Sequence, residues 1–351
     1  METFREPTLG AKLDFLSRPD SFPDRPESVD IIETHFAWVF LSKQFVYKLK
    51  KPIRFQDFDF TTLQARRANC ELEIALNRRL AEAVYIAVVP LSRSGSTFAL
   101  ESDADPVEWL VKMHRLPDER MLDRAALRGP VDDSELVAVL DKLGAFYQRT
   151  TRAPWDGPAY RQSLLRRIRK YATQLSAADL GMDANSVQEL AAAQLQFVRD
   201  NAGLFDARIA AGRVVDAHGD LRPEHVFLSN DPQIIDCLEF SAELRLLDTA
   251  EEIAFLALEC ERLGFGEVGQ RVCELYRQRC GDRVPPKLFG FYRSQRGLAR
   301  ALLSAWHLRD DLNDDSARRW LERANWYVRV ASAAIGAQPA ARAACSDLRH
   351  G

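Results

Sequence analysis

The sequence has no long apolar run of the kind found in membrane proteins and secreted precursors. No segment approaches the roughly 20 apolar residues that a membrane-spanning helix needs. The first twenty residues, METFREPTLGAKLDFLSRPD, contain no apolar core of signal-peptide length. We therefore expect a cytoplasmic protein with no membrane partner.

A strong net charge is also missing. The formal net charge of the 351 residues is −3 at pH 7, although 28% of them are charged. Nothing electrostatic therefore favours nucleic acid or an anionic membrane surface as the partner. A small molecule is the partner class that this composition favours.

Paired cysteines and glycine-rich phosphate loops are absent as well. The six cysteines, at positions 70, 237, 260, 273, 280 and 345, form no C-x-x-C pair, so we expect buried, reduced thiols rather than a disulfide framework or a metal cluster. No G-x-x-x-x-G-K-[ST] motif is present, which excludes a P-loop kinase. The first predicted hairpin also lacks a G-x-G-x-x-G loop.

The chain does contain a β-rich segment followed by a mostly helical one. Residues 29–50 carry two β-branched and aromatic runs around a polar turn at 42–44, which predicts a hairpin. A capping-box pattern at 61–64 starts a helix that runs to about Leu80, and residues 84–113 return to strands.

The second part of the chain is predicted to be helical. Pro117 disfavours a helix at the residue before it, so we place a boundary here and predict lobes over 1–115 and 116–351. The predicted helices span 133–149, 159–176, 185–202, 248–264, 267–280, 286–308 and 315–335.

Two short motifs carry the chemistry. AHGDLRPEHVFL, at 217–228, places His218 and His225 around Asp220, and IIDCLEF, at 234–240, ends an apolar run with Asp236. Lys48 and Lys50 lie upstream on one face of a predicted strand, because side chains on a strand repeat every two residues.

This layout resembles the aminoglycoside phosphotransferase and choline kinase superfamily, whose catalytic loop reads HxDxxxxN and whose metal-binding aspartate follows a short hairpin. YKLKKP, CELEIALNRRL, VKMHRLP and HGDLRPEHVFL are similar to a largely uncharacterised bacterial branch of it, from about residue 29 to about residue 308. The resemblance implies an α+β, two-lobed protein-kinase-like fold. It also implies ATP-dependent transfer of the γ-phosphate to a hydroxyl of a small molecule.

The resemblance assigns roles to individual residues. Asp220 is the catalytic base or orienter of the acceptor hydroxyl, and Asp236 holds the metal ion between the phosphates. Lys48 reaches the α- and β-phosphates, although Lys50 competes for this role. An acid on the next helix fixes the lysine by an ion pair, and we favour Glu73 over Glu71.

The nucleotide site is completed by two backbone segments. Without a glycine loop, the phosphates would be covered by backbone around Thr34 and His35. The adenine would lie against residues 112–116, so that Met113 and Arg115 become cofactor-binding candidates.

His225 departs from the family pattern, which has an asparagine metal ligand at this position. Three interpretations stay open: His225 binds a metal ion other than Mg²⁺, it contacts phosphate as a cation, or it is structural while Asp236 alone holds the ion. The metal ion is therefore expected to be Mg²⁺ or Mn²⁺, since Mn²⁺ tolerates nitrogen ligands better. His218 is expected to be structural.

Four further polar residues have alternative readings. Asp248 matches an aspartate of the family but is also sufficient as a helix cap. Glu239 would face the acceptor or lie in solvent. Arg296 and Arg300 would bind an anionic acceptor or form a solvated, salt-bridged helix face.

Two other functions remain possible from the sequence. One is a nucleotide-binding protein without catalysis, suggested by His225 and the missing glycine loop. The other is a metal-dependent hydrolase that uses His218, Asp220, His225 and Asp236 as ligands, but it leaves Lys48 unexplained. The acceptor itself cannot be read from the sequence, because fold similarity does not carry substrate identity.

Overall fold

The structure is a computed structural model that describes residues 7–55, 58–95, 97–102, 105–309 and 313–336. The chain divides into two units. One, called the sheet unit below, comprises residues 1–150 and 218–245, and the other, the helical unit, comprises 151–217 and 246–351. Each unit is described separately.

The strands of the described residues belong to one large sheet and three short ladders. They are β1 (Asp30–Glu33), β2 (Ala37–Leu41), β3 (Phe45–Lys50), β4 (Arg54–Phe55), β5 (Phe58–Asp59), β6 (Tyr85–Ser94), β7 (Thr97–Leu100), β8 (Pro106–His114), β9 (Val214–Asp216), β10 (Val226–Phe227), β11 (Gln233–Ile234) and β12 (Leu246–Asp248). The large sheet is antiparallel, with the order β1-β2-β3-β8-β6-β7.

The helices are concentrated after the sheet. They are α1 (Leu9–Leu16), α2 (Leu63–Ala81), α3 (Leu122–Arg128), α4 (Asp133–Arg149), α5 (Gly157–Leu175), α6 (Ala184–Asp200), α7 (Ala202–Ala210), α8 (Ala242–Arg245), α9 (Thr249–Arg262), α10 (Gly266–Arg279), α11 (Pro286–Trp306) and α12 (Asp314–Ile335). The predicted α+β class, with a β-rich part before a mostly helical part, is confirmed.

Successive side chains of β3 point to opposite faces of the sheet, and this alternation decides which of them face α2. Tyr47 and Leu49 pack into an apolar cluster with Leu16 of α1, on one face of the sheet. Val46 packs on the opposite face, against the cluster that contains Ile74 of α2. Lys48 and Lys50, which share that second face, therefore point toward α2.

Helix α2 starts where it was predicted, but its cap is Thr62 and not the predicted capping box of Thr61 and Gln64. The Thr62 side chain accepts a hydrogen bond from the backbone N–H of Ala65, which satisfies one of the N–H groups that the first turn leaves open. Its buried face carries Cys70, Glu73 and Asn77, at helical spacing. This face packs α2 against the sheet and places Glu73 next to Lys48 and Lys50 of β3.

The helical unit is organised around α9, whose residues from Thr249 to Cys260 are all buried. Asp248 caps this helix by accepting from the N–H of Ala250. The Arg208 guanidinium contacts the carboxylates of both Asp248 and Asp282. The cap reading of Asp248 is therefore confirmed, and the residue also belongs to a buried ionic cluster.

Most predicted elements are present, with differences at the N-terminus. The seven predicted helices appear within a few residues of their predicted bounds, and the turn at 42–44 separates β2 from β3. The predicted first strand is broken into β1 and β2 by a turn at 34–36, and helices α1, α3, α7 and α8 were not predicted.

No disulfide joins the five cysteines that the structure describes, of which those at 70, 237 and 260 are buried; Cys345 lies outside the described residues. In the described part of the chain, no helix combines the length and the apolar character needed to span a membrane.

Candidate functional site

The loop that carries Asp220 is fixed by a neutral histidine. His218 donates from Nε2 to the carbonyl of Ile235 at 2.9 Å, and its Nδ1 accepts from the backbone N–H of Asp220 at 3.3 Å. Burial, helped by the nearby His225, lowers the pKa of His218 to about 3, so the ring is uncharged at neutral pH. These contacts agree with the structural role expected for His218.

Gly219 allows the close turn before Asp220. Its φ is +88°, in the left-handed region, and a Cβ there would meet the Cβ of Leu238 at 3.0 Å. The backbone N–H of Leu238 donates to the carbonyl of His218 at 3.0 Å. The loop of Asp220 and the segment after Asp236 are therefore joined by backbone contacts within the sheet unit.

Asp220 and His225 are linked through Arg222. The Nε of Arg222 donates to Oδ2 of Asp220 at 3.1 Å, and its terminal nitrogen donates to Nε2 of His225 at 2.8 Å. The other ring nitrogen of His225, Nδ1, donates to the backbone carbonyl of Asp220 at 2.9 Å. Both nitrogens of this buried ring thus have partners inside the loop.

Asp236 has an unusual backbone conformation. Its φ is +59°, in a region that residues other than glycine seldom occupy and that is common at functional sites. The backbone is held there because the Asp236 N–H donates to the Tyr85 hydroxyl at 3.1 Å and the Cys237 N–H donates to Oδ1 of Asn77 at 2.8 Å. These contacts aim the Asp236 carboxylate at β3.

Lys48 bridges two carboxylates. Its Nζ lies 2.9 Å from Oε1 of Glu73 and 2.7 Å from Oδ1 of Asp236. Glu71 lies on the exposed side of α2, where it pairs with Arg67 at 2.9 Å. The structure thus brings Lys48 together with Glu73, as favoured from the sequence, and not with Glu71.

Electrostatic interactions among Lys48, Asp236 and Glu73 keep all three side chains charged. Burial alone would lower the pKa of Lys48, but the charges of Asp236 and Glu73 raise it well above its usual value. Burial alone would raise the pKa of Asp236, but Lys48 and His225 hold it below its usual range. The pKa of Glu73 is likewise lowered by Lys48 and Lys50 against the effect of burial. All three groups are therefore ionised at neutral pH.

Lys50 occupies a different place in the same network. It is 1% exposed and contacts the second oxygen of Glu73 as well as the carboxylate of Glu239. Glu239 is itself buried, rather than solvated as one sequence reading had it. Lys48 is thus the lysine that contacts Asp236. Lys50 instead links Glu73 to Glu239, which lies three residues after Asp236.

Thr34 and His35 form the turn between β1 and β2. The Thr34 hydroxyl donates to the carbonyl of Ala37 at 2.9 Å and accepts from its N–H at 3.0 Å, which closes the turn. The next residue, Phe36, packs on Phe240 with ring centroids 5.3 Å apart. This turn is therefore anchored to the segment that begins at Asp236, and a cover for phosphates by its backbone stays a prediction.

Met113 and Arg115 lie at the end of β8. Met113 is buried in the cluster behind the sheet, and the guanidinium of Arg115 donates to the carbonyl of Ser42 at 2.7 Å. The backbone N–H groups of His114 and Arg115 donate to the carbonyls of Val84 and Gln44. An adenine site at this segment remains a prediction. It would have to use backbone groups other than the N–H groups of His114 and Arg115.

Arg296 and Arg300 lie on α11 in the helical unit. Their guanidinium groups pair with buried carboxylates, Arg296 with Glu251 at 2.9 Å and Arg300 with Glu259 at 3.3 Å. These pairs favour the salt-bridged reading of the two arginines over the binding of an anionic acceptor.

The donor groups around Asp236 are compatible with one divalent ion. Oδ2 of Asp236 lies 3.5 Å from Nε2 of His225, and the Asp236 side chain is 42% exposed. Mg²⁺ in nucleotide sites is commonly bound by one or two carboxylates together with phosphate oxygens and water. Among the residues that the structure describes, no group of three or more His, Cys, Asp or Glu could hold a metal ion alone.

Several residues of this site were missed by sequence analysis. Tyr85 and Asn77 fix the backbone of residues 236 and 237, and Arg222 joins Asp220 to His225. Asn77 carried a usable signal, since it lies four residues after Glu73 on the same helix face. For Tyr85 the sequence offered none, because its partner Asp236 is brought to it by a tertiary contact. Arg222 lies in the motif itself, between Asp220 and His225, so its position there was a local signal.

Comparison with known sequences gives relatives but no function. No family model matches the chain. Uncharacterized proteins of Mycobacterium tuberculosis and Mycobacterium bovis are each 33% identical over 276 residues, which is 78% of this chain and 54% of the relative. The chain thus spans about half the length of the curated relatives that it matches.

Comparison with solved structures shows the fold. A choline/ethanolamine kinase family protein from Mesorhizobium loti has a TM-score of 0.52 at 16% identity, covering 93% of this chain and 99% of its own. An aminoglycoside 2'-phosphotransferase-IIIa mutant in complex with GDP also has a TM-score of 0.52, at 14% identity, with 92% and 97% covered. The chain therefore has the two-lobed kinase-like fold of these two proteins, as its motifs implied.

Proposed function

We propose that the protein is an ATP-dependent phosphotransferase that moves the γ-phosphate to a hydroxyl group of a small molecule. The observation that carries this proposal is the chain of charges from Glu73 through Lys48 to Asp236, next to the loop of Asp220. Phosphoryl transfer requires positioning and charge from the protein rather than covalent chemistry. This network can supply both.

Lys48 would bind the α- and β-phosphates. Its charge neutralises Asp236, with which it forms an ion pair at 2.7 Å. Binding of a nucleotide would replace that carboxylate by phosphate oxygens, while Glu73 keeps the lysine in position. Thr34 and His35 would cover the phosphates, and Met113 and Arg115 would border the base.

Asp236 would hold the divalent ion, Mg²⁺ or Mn²⁺, once its oxygens are released by Lys48. A metal ion bound there would offset the negative charge of the phosphates. The hydrogen bonds of His225 favour the structural reading of this residue, because both of its nitrogens are engaged within the loop.

Asp220 would orient the acceptor hydroxyl and accept its proton. Arg222 holds one oxygen of its carboxylate, which fixes the direction of the side chain. The acceptor oxygen bonds to the γ-phosphorus as the bond to the bridging oxygen breaks, and ADP leaves with the bonding electrons. The acceptor is a small hydroxylated molecule whose identity is found by a screen of metabolites for ATP consumption.

Thermal denaturation with ATP and either metal ion tests nucleotide binding. A ligand at a hundredfold excess over its Kd stabilises the native state by about 2.7 kcal/mol. Asp220→Asn should retain this stabilisation and lose phosphoryl transfer, whereas Asp236→Asn should weaken both. Glu73→Gln should reduce nucleotide binding, and the matched control Glu71→Gln on the exposed side of α2 should not. No stabilisation with millimolar ATP would refute the proposal.

A second candidate is a nucleotide-binding protein without catalysis. One observation favours it: the β1–β2 turn carries no glycine. This candidate predicts stabilisation by ATP, but neither ATP hydrolysis nor transfer to any hydroxylated compound in the screen. Turnover that disappears in Asp220→Asn would eliminate it.

A further inference from the structure

Arg222 lies at the centre of the loop that follows Asp220. Its guanidinium contacts the Asp220 carboxylate through Nε and the His225 ring through a terminal nitrogen, at 3.1 and 2.8 Å. The side chain is 21% exposed, so the group is held within the protein but remains accessible. A guanidinium is always charged and only donates hydrogen bonds, which makes it suited to bind a phosphoryl group.

The hydrogen bonds of His225 determine its tautomer. A carbonyl oxygen can only accept, so Nδ1 carries the proton that it donates to the backbone of Asp220. Arg222 can only donate, so Nε2 is the acceptor in their contact. A neutral imidazole has a single acceptor nitrogen, and Arg222 engages it. In this arrangement His225 has no lone pair for a metal ion.

The position of Arg222 also bears on a second metal ion. Nε2 of His225 contacts Arg222 on one side and lies 3.5 Å from Oδ2 of Asp236 on the other. The guanidinium therefore contacts Asp220 and the same ring nitrogen of His225 that lies near Asp236. A second cation held at position 225 would meet this fixed charge of like sign, which the contact of Arg222 with His225 keeps in place.

We propose that the guanidinium of Arg222, positioned by His225, binds the transferring phosphoryl group in place of a second metal ion, so that the protein uses one ion, at Asp236. This rests on the proposed function. When the γ-phosphorus exchanges its bond to the bridging oxygen for a bond to the acceptor, the acceptor proton passes to Asp220. Arg222 transfers no proton and offers hydrogen bonds to the phosphoryl oxygens throughout.

Counting metal ions tests the inference without measuring activity. The full chain is titrated with Mn²⁺ in the presence of the non-hydrolysable analogue AMP-PNP, and bound ions are counted by electron paramagnetic resonance. We expect one Mn²⁺ per bound nucleotide. Two ions with tight nucleotide binding would overturn the inference and leave the proposed function standing. Absence of AMP-PNP binding would remove the proposed function, and the inference with it.

Variants of Arg222 test the contact with the phosphoryl group. Arg222→Gln should lower the affinity for AMP-PNP by about ten- to a hundredfold while changing the affinity for ADP little, because a charged hydrogen bond to the terminal phosphate is lost. Arg222→Lys should recover part of this preference. The control Arg67→Gln, on the exposed side of α2, should leave both affinities unchanged. Equal losses for AMP-PNP and ADP in Arg222→Gln would contradict the inference.

His225 acts here as a positioning residue, which a conservative exchange can separate from a packing role. His225→Asn retains an oxygen that can accept from Arg222, whereas His225→Leu removes the acceptor. The leucine variant should lose the preference for AMP-PNP over ADP as Arg222→Gln does, and the asparagine variant should keep most of it. An unchanged preference in His225→Leu would show that the ring does not position Arg222.

Discussion

Lys50 offers a sharp test of the ion-pair network, because it is the more deeply buried of the two lysines in it. Its side chain is 1% exposed and contacts Glu73 on α2 and Glu239 in the segment after Asp236. The substitution Lys50→Met keeps the length and the apolar stem but removes the charge. It leaves Glu239, whose side chain is 9% exposed, without its lysine.

The size of the effect follows from this burial. Removing one partner of a buried ion pair destabilises a protein by about 3–5 kcal/mol, because the remaining charge is left uncompensated. Lys48→Met should cost less, since the Asp236 side chain that it leaves behind is 42% exposed and can be hydrated. The double variant Lys50→Met/Glu239→Gln should recover part of the loss, because it removes the orphaned carboxylate.

Equilibrium denaturation and thermal melting measure these differences. At about 2–4 °C per kcal/mol, Lys50→Met should lower the melting temperature by roughly 6–20 °C. The carboxylates of Glu239 and Glu73 raise the pKa of Lys50 above 10.5 even though burial opposes this. The stabilisation by the ion pairs of Lys50 is therefore fully present below about pH 10 and is lost only above the raised pKa. The destabilisation caused by Lys50→Met should accordingly be the same at pH 7 and pH 9. A loss below about 1 kcal/mol, as for an exposed pair, would refute the reasoning.

The other predictions concern stability. The pKa of His218 is lowered to about 3, so below about pH 6.5 the unfolded chain binds more protons than the folded one. The free energy of unfolding should therefore decrease as the pH falls, by up to about 1.4 kcal/mol per pH unit. The variant His218→Gln should reduce this dependence when urea denaturation is compared at pH 7.5 and pH 5. Arg208→Met should destabilise by about 3–5 kcal/mol, measured likewise, because buried Asp248 loses its bidentate partner; a loss under 1 kcal/mol would contradict this. Gly269→Ala should lower the free energy of unfolding by about 1–3 kcal/mol, because a Cβ would lie 2.8 Å from a backbone oxygen of α9. The control Gly203→Ala has open space around the new Cβ and should not lower the melting temperature.

The sequence was sufficient where the signal is local. The helix α4 spans Asp133–Arg149 as predicted, and α2 starts after the cap at Thr62, because apolar spacing and capping depend on residues within a few turns of one another. The turn at 42–44 was equally local. The fold class followed from the order of these elements, and the comparison with solved structures agrees with it.

The candidate site was predicted in part. Period-two alternation placed Lys48 and Lys50 on one face, and both do face α2. It could not tell which of them reaches Asp236, since that depends on where the segment 236–239 lies against the sheet. The preference for Glu73 over Glu71 agrees with the structure because only Glu73 lies on the buried face of α2.

What the sequence by itself determined is the set of charged groups and the elements that carry them. The tertiary structure alone decided their pairing, because the partners of Lys48 and Lys50 in residues 236–239 lie nearly two hundred residues away in the chain. The tautomer of His225, by contrast, follows from the conformation of its own loop, through contacts with the carbonyl of Asp220 and with Arg222. Burial then fixed the charge states, since a carboxylate or lysine removed from water stays ionised only where the fold supplies its counter-ion.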